Sequence, residues 1–400
     1  MAHQTAQRLR VAEGRGEKAP TPKRTVPCMQ TAWPHMLLPR PAGAAPLVFP
    51  FDQPGLRYRY FARNAVWDAV QLLGLAGKKV LVPAYHHGVE LETLLAAGVT
   101  PVFFRVDGQM RADFEDARAK AAGARALYVI HYAGFAQDME AARQLGRELG
   151  VPVIEDCALA LLSRDGEKPL GSSGDVSVFC LYKTIPVPNG GALLVRGELA
   201  RDVDQLPETV APRLASTASH LIGSLLSNLE LRTGNLGRRT RQALRDAGRW
   251  LVDRAQVERV STGTQHFNPA DVRLGMSAMS HLVLRNQDFP RIVERRRRNY
   301  FLLYAMLRDV APPVTGELKP GICPLFYPMP VDDKASAMAR LLARGVETVD
   351  FWRVRHPAVP AGAFPEVDRL RERVLELPVH QDLSPADAEH VASCVRELLR

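Results

Sequence analysis

A chain of 400 residues, 46% of them hydrophobic, exceeds the size at which one core keeps growing and predicts a large and a small unit. It has no apolar run approaching the roughly 18 to 20 residues of a membrane span and no secretory leader pattern at its start, which reads as a soluble, cytoplasmic protein without a transmembrane segment. The formal charge of +9 is diffuse except at Glu294, Arg295, Arg296, Arg297 and Arg298, where Ile292, Val293, Tyr300, Leu302 and Leu303 predict a helix with a solvated or substrate-facing basic side, so no nucleic-acid partner is inferred.

Residues 1–45 are rich in Pro, Ala and basic side chains without an apolar period and predict a flexible tail. Near Ala65 helical and strand patterns begin to alternate. A helix through Val66, Ala69, Val70, Leu72 and Leu73 stops at Gly74 and precedes a strand at 79–83; a helix at 89–97 ends at Gly98 before a strand at 101–104. Helices near 111–123 and 138–149 precede strands at 126–130 and 152–154, and a further strand covers 191–195. Short continuous apolar strands between helices predict an α/β fold with a mainly parallel sheet covered on both faces, whose ligands sit at the carboxyl ends of the strands. The large unit is placed at 46–270 and includes an Arg-rich helical insertion at about 200–262, where Leu214, Ala218, Leu221, Leu225, Leu229 and Leu231 fall near helical spacing. A small α+β unit is placed at 271–400, with a helix at 333–343 and a last helix starting from a Ser384 cap.

Five cysteines, at 28, 157, 180, 323 and 394, form no CxxC or Cys/His cluster, so neither a disulfide framework nor a metal site is expected. Asp156 directly follows the strand Val153-Ile154-Glu155, at the strand's carboxyl end, where an Asp serves either as a ligand-facing carboxylate or as a helix cap. Lys183 lies between two apolar strands joined by a Pro/Gly-rich loop that ends in Gly190-Gly191; a lysine there snorkels, is paired, or acts as a partly desolvated amine able to attack a carbonyl and carry protons.

The order of motifs resembles the DegT/DnrJ/StrS family of sugar aminotransferases, which are fold-type-I enzymes using pyridoxal 5'-phosphate (PLP). The resemblance runs from about 55 to 400, interrupted at 200–262. Residues 80–88 resemble the family's strand into an aromatic-bearing loop, 130–134 its "VHLYG" element, and 153–158 its "VIEDAA". Residues 171–179 and Lys183 through Gly191 resemble its "GDxxxFSF…K…GEGG" stretch, Phe267, Asn268 and Arg273 its "GYNYR", and 375–383 its "LSLPLHPDL". The resemblance implies a seven-stranded-type sheet in the large unit, Lys183 as the Schiff-base residue and proton carrier, and Asp156 as partner of the pyridinium nitrogen. His87 takes the place of the ring-stacking aromatic, Cys180 that of a serine, and backbone N–H groups at Arg63 and Asn64 form the phosphate site. It further implies a homodimer in which Asn268 reaches the phosphate of the other subunit, with glutamate as amino donor and a nucleotide-linked keto-sugar as acceptor, in glycan or secondary-metabolite synthesis.

Departures from the pattern are also plain. Phe61-Ala62-Arg63 stands where Ser-Gly-Thr is usual, Leu159 replaces a His or Gln, the stretch from Phe179 to Lys183 is two residues shorter, and the asparagine and arginine of "GYNYR" are further apart. They favour, as a rival reading, a catalytically divergent regulatory or partner protein. A sugar dehydratase is a second rival, but relatives of that kind carry histidine in place of the lysine, which Lys183 opposes.

Overall fold

The computed structural model describes residues 25–39, 46–234, 236–243 and 267–400. In chain order the large unit runs β1 (Leu56–Arg59), α1 (Ala62–Leu72), β2 (Lys79–Pro83), α2 (Val89–Ala96), β3 (Thr100–Phe104), α3 (Phe114–Ala119), β4 (Ala124–Ile130), α4 (Met139–Leu149) and β5 (Val153–Asp156). A short hairpin, β6 (Arg164–Asp165) and β7 (Lys168–Pro169), leads into β8 (Val176–Cys180) and β9 (Gly191–Val195). The chain continues through α5 (Leu214–Thr233), α6 (Ala278–Arg285), α7 (Phe289–Leu307), β10 (Phe326–Pro330), α8 (Lys334–Ala343), α9 (Pro365–Arg373), β11 (Val374–Pro378) and α10 (Pro385–Leu398). Capping residues set several starts: Asp113, Asp138, Asp333 and Ser384 each accept a first-turn N–H, and α4 stops where Gly150 turns left-handed at φ 63.

Seven strands form one sheet in the order β1-β9-β8-β5-β4-β2-β3. Strands β3, β2, β4, β5 and β8 are parallel, whereas β9 pairs antiparallel with both β8 and β1. Every residue of β5, β8 and β9 is buried, as strands covered on both faces require. The expected mainly parallel sheet is therefore present, with an antiparallel edge whose outer strand, β1, carries too short a pattern to read from sequence. Gly191 is needed at this edge because a side chain there would run into the backbone of Phe61 and Ala62 at the start of α1. The small unit packs the antiparallel pair β10/β11 against α7, α8 and α10, around Tyr300, Leu303, Tyr327, Leu375, Leu377 and Val391. The boundary expected near residue 270 falls ahead of α6, whose Val283 and Leu284 share a core cluster with Leu181 and Ile185 of the large unit.

Residues 25–39 are not a free tail. Val26 is fully buried and pairs with Val346, Thr31 gives both its N–H and its hydroxyl to Asp382, and the Gln30 amide donates to the Tyr182 carbonyl at 2.7 Å. An extended strap held by partners more than 150 residues away needs no local apolar period, which is why its composition reads as a tail. The remainder of the expected tail, 1–24 and 40–45, lies outside the described residues. The insertion is helical at α5 and again at 236–243, while 244–266, which includes Arg245, lies outside the description.

The arginine run on α7 differs from a solvated face. Arg296 is 1% exposed and spends its N–H groups on Gln381 Oε1, Gln30 Oε1 and the carbonyls of Pro324, Leu325 and Thr184, at 2.8 to 3.3 Å. Arg297 and Arg298 likewise reach the carbonyls of Lys319, Ile322 and Leu383. A buried guanidinium opposite carbonyls rather than carboxylates acts as a multi-point fastener. Arg296→Met keeps the apolar stem and leaves those acceptors without the guanidinium, Thr184 retaining its bond from the Gln381 amide. It is expected to lower the unfolding free energy by about 3 kcal/mol in urea denaturation, and a loss under about 1 kcal/mol would show the fastener to be dispensable.

Glu376 on β11 is 2% exposed and accepts the Phe351 N–H at 3.1 Å. Burial pushes its carboxyl up to about 8; Lys334 and that N–H pull it down, and Asp350 pushes it up. The folded protein therefore holds a proton that the unfolded chain has released above about 4.5, and stability from this group falls as pH rises toward about 8. Glu376→Gln should flatten the pH dependence of unfolding between about pH 5 and 8 and gain on wild type at the alkaline end. Parallel profiles for the two proteins would mean that Glu376 is ionised in the fold.

Candidate active site

The carboxyl ends of β4, β5 and β8 open on one cavity lined by Phe61, Ala62, Arg63, His87, Glu90, Asp156, Leu159, Cys180, Tyr182, Lys183 and Trp352, among others. Five of the residues expected from sequence thus meet here: Lys183, Asp156, His87, Cys180 and Arg63. Lys183 stands on the turn that follows β8, with its Nζ 5.7 Å from the centre of the Phe351 ring. Arg296 and Gln381 both bond the carbonyl of the next residue, Thr184, so this turn is tied to the small unit.

Asp156 is the last residue of β5 and 4% exposed. Its Oδ2 accepts the Tyr128 hydroxyl at 2.6 Å and its Oδ1 the Ala158 N–H at 2.8 Å, which fixes the carboxyl plane at the strand end. Burial raises its pKa above the ordinary range, while Tyr128, Ala158 and Lys183 oppose the rise. The preceding Glu155 points to the opposite side of the strand. Its oxygens accept the N–H groups of Gly171, Ser173 and Gly174 and face His131 Nε2 at 3.0 Å. His131, Glu155 and Cys157 bring ligand atoms within 4.8 Å of one another, but these hydrogen bonds already give Glu155 the work of shaping the turn before β8.

His87 is 9% exposed, and burial, followed by the charges of Lys183, Arg371 and Arg63, lowers its imidazole to about 3, so the ring is neutral near pH 7. Its loop is held by Arg371, a 2%-exposed guanidinium on α9 that donates to the carbonyls of Ala84, His86 and Trp352. Cys180 is buried with its thiol pushed up by burial, and so is a small neutral wall.

Two expected residues are not in this cavity. Asn64 accepts the Phe61 N–H on its side chain and donates to the Asp271 carbonyl at 2.6 Å, while its own N–H bonds the Phe61 carbonyl. It caps α1 and ties it to the 268–271 turn, leaving the helix start to Ala62 and Arg63. Asn268 is exposed on that turn, with its side chain on Ala270 and Asp271. Conversely, Glu90, Tyr128, Trp352 and Arg371 were not singled out from sequence. Glu90 reads as an ordinary first-turn acid, and Trp352, in left-handed backbone at φ 60, reaches the cavity from a chain segment almost 170 residues beyond Lys183.

Residues 64–213 match the DegT/DnrJ/EryC1/StrS aminotransferase family. The chain is 32% identical over 139 residues to a GDP-perosamine synthase of Vibrio cholerae, a match covering 34% of this chain and 38% of that protein. It is 23% identical over 343 residues to a UDP-N-acetyl-3-dehydro-alpha-D-glucosamine 3-aminotransferase of Acidithiobacillus ferrooxidans, covering 81% and 78%. Its fold is similar to that of a DegT DnrJ EryC1 StrS aminotransferase from Brucella abortus, with a TM-score of 0.62, 20% identity and 86% of each chain covered. The family match is thus to residues 64–213, and the fold of the chain is the one that these aminotransferases have.

Proposed function

We propose that the protein is a PLP-dependent aminotransferase that moves an amino group from glutamate to a nucleotide-linked keto-sugar. The observation that carries this reading is the meeting of Lys183 and a hydrogen-bonded, buried Asp156 in one cavity at the carboxyl ends of parallel strands. Nucleotide sugars as substrates are supported by the names of the Vibrio cholerae and Acidithiobacillus ferrooxidans relatives.

The residues present suit PLP. It requires an amine, a carboxylate, a flat wall and an anion site, and Lys183, Asp156, the His87 ring, and the start of α1 with Arg63 offer these in turn. When bound, PLP supplies an electron-withdrawing ring that makes the carbon bearing the amino group acidic. Lys183 would hold the cofactor through Nζ and, once freed, its Nζ would take a proton from the carbon on one side of the transferred nitrogen and return it to the carbon on the other side. Asp156, held in place by Tyr128 and the Ala158 N–H, would keep the ring nitrogen protonated. His87, neutral, would cover the ring without adding charge. The amino group would leave glutamate as a water supplies the keto oxygen of 2-oxoglutarate, and arrive on the sugar's carbonyl carbon, whose oxygen departs as water, so that no water is consumed overall.

The working unit in this reading is a cytoplasmic homodimer, and the exposure of Asn268 suits a residue that completes the partner's phosphate site. No helix among the described residues is long and apolar enough to cross a membrane.

Borohydride reduction of the PLP-loaded protein and peptide mapping should place the cofactor's mass on Lys183; mass on Lys168, or on no lysine, overturns the assignment. Asp156→Asn should retain PLP yet slow the half-reaction with glutamate about 100-fold, about 2.7 kcal/mol of barrier, because an amide cannot balance a protonated ring nitrogen. A variant within about threefold of wild type removes Asp156 from that role.

A further inference from the structure

A surface helix ordinarily buries its apolar stripe and leaves its polar side in water. Helix α5 does the reverse. Leu214, Ala218, Ile222, Leu225 and Leu229 recur at intervals of three and four residues, which places them on one side of the helix over about 22 Å. Of these, Leu214, Ile222 and Leu229 are 69%, 54% and 38% exposed, and Leu236, just beyond the helix, is exposed as well. The residues that α5 buries are mostly polar: Ser216, Thr217, Asn228 and Glu230, beside Leu221. Polar groups also fasten it. Asn228 donates to the Thr31 hydroxyl at 2.8 Å, Ser224 accepts the Ala32 N–H at 2.8 Å, and Glu230 receives Arg238 and Arg241 at 3.2 and 2.6 Å. A helix held through its polar side offers its apolar side outward.

The charges along this stretch restrict what can cover that side. From 209 to 243 the chain carries five arginines, no lysine and a single acid, Glu230. That carboxylate is buried and already spent on Arg238 and Arg241. Arg213, at the start of α5, Arg232, near its end, and Arg239 beyond it are exposed, Arg232 lying 3.6 Å over the Trp33 ring. A symmetric contact with a second copy of the face would bring like charges together with no exposed acid of this stretch to separate them. An anionic lipid surface fits both features, because its headgroups attract arginine and its acyl boundary takes up leucine and isoleucine. No helix among the described residues is long and apolar enough to cross a membrane, so α5 would lie in the plane of the surface.

We propose that α5 is a membrane-docking element that seats Leu214, Ile222 and Leu229 at the acyl boundary of an anionic phospholipid bilayer, with Arg213, Arg232 and Arg239 among the headgroups. The proposal does not depend on the reading of the cavity. No residue of α5 lines that cavity, so docking leaves it unobstructed by the helix itself.

The full-length protein should co-sediment at low salt with vesicles of phosphatidylcholine containing about one third phosphatidylglycerol, and at least about fivefold less with phosphatidylcholine alone. Arg239→Gln should weaken binding to the anionic vesicles about fivefold, and Ile222→Ser combined with Leu229→Ser at least about tenfold. Both serine positions are exposed, so the double variant should keep the urea unfolding midpoint of wild type. Equal binding to the two kinds of vesicle, binding to neither, or binding that the serine pair leaves undiminished overturns the proposal. A serine pair that lowers the sedimentation coefficient in the absence of lipid assigns the face to a second copy, and one that lowers the urea midpoint assigns it to another segment of the same chain; either result overturns membrane docking.

Discussion

A guanidinium withdrawn from water with no carboxylate opposite must find an acceptor for each N–H, and Arg296 finds them on four separate stretches of chain. These are the strap at Gln30, the turn at Thr184, the approach to β10 at Pro324 and Leu325, and the loop after β11 at Gln381. None can move alone without leaving a buried donor or acceptor unmatched, a loss of about 1 to 3 kcal/mol each. Because Thr184 follows Lys183, the position of the Lys183 amine depends on this junction. Gln381, donating to the same Thr184 carbonyl, doubles the tie. The small unit therefore sets the place of a residue that belongs to the large one.

Arg371 repeats the device in part on the other side of the cavity: its two terminal nitrogens reach three carbonyls and no carboxylate, while its Nε has no hydrogen-bond partner among the described residues. Its charge is left unneutralised by an adjacent anion, and it contributes to holding both His86 and His87 neutral. The walls of the cavity are thus uncharged rings, and its charges are confined to Lys183, Arg63 and the carboxyls. In a partly dehydrated space such separation matters, because each charge acts over a longer distance than it would in water.

The strap joins the insertion to this arrangement. Thr31 accepts from Asn228 and donates to Asp382, Ser224 accepts the Ala32 N–H, and Arg232 lies 3.6 Å over the Trp33 ring. The same strap reaches Tyr182, one residue before Lys183. Helix α5 is therefore in mechanical contact with the active-site turn through one short extended segment, although none of its residues lines the cavity.

The candidate site positions legible in the sequence are those whose meaning is local. Asp156 at a strand end and Lys183 before a double glycine are read from a few neighbours, because a parallel sheet delivers every strand's carboxyl end to the same side. The alternation of apolar strands and helices determined the sheet for the same reason, since burial on both faces is written into each strand separately. What joins segments distant in sequence left no such trace. The tail composition of 25–39 conceals a packed strap, the charge of Arg296 conceals a core residue, and Asn64 sits at the predicted helix start with its polar groups already spent on Phe61 and Asp271. Glu90 and Trp352 belong to the cavity only because the fold carries α2 and the segment after α8 to the end of β5. The sequence by itself determined which residues could do the chemistry and on which kind of sheet; tertiary structure alone decided which of them face one another, because burial and hydrogen-bond pairing across hundreds of residues depend on contacts that no local pattern encodes.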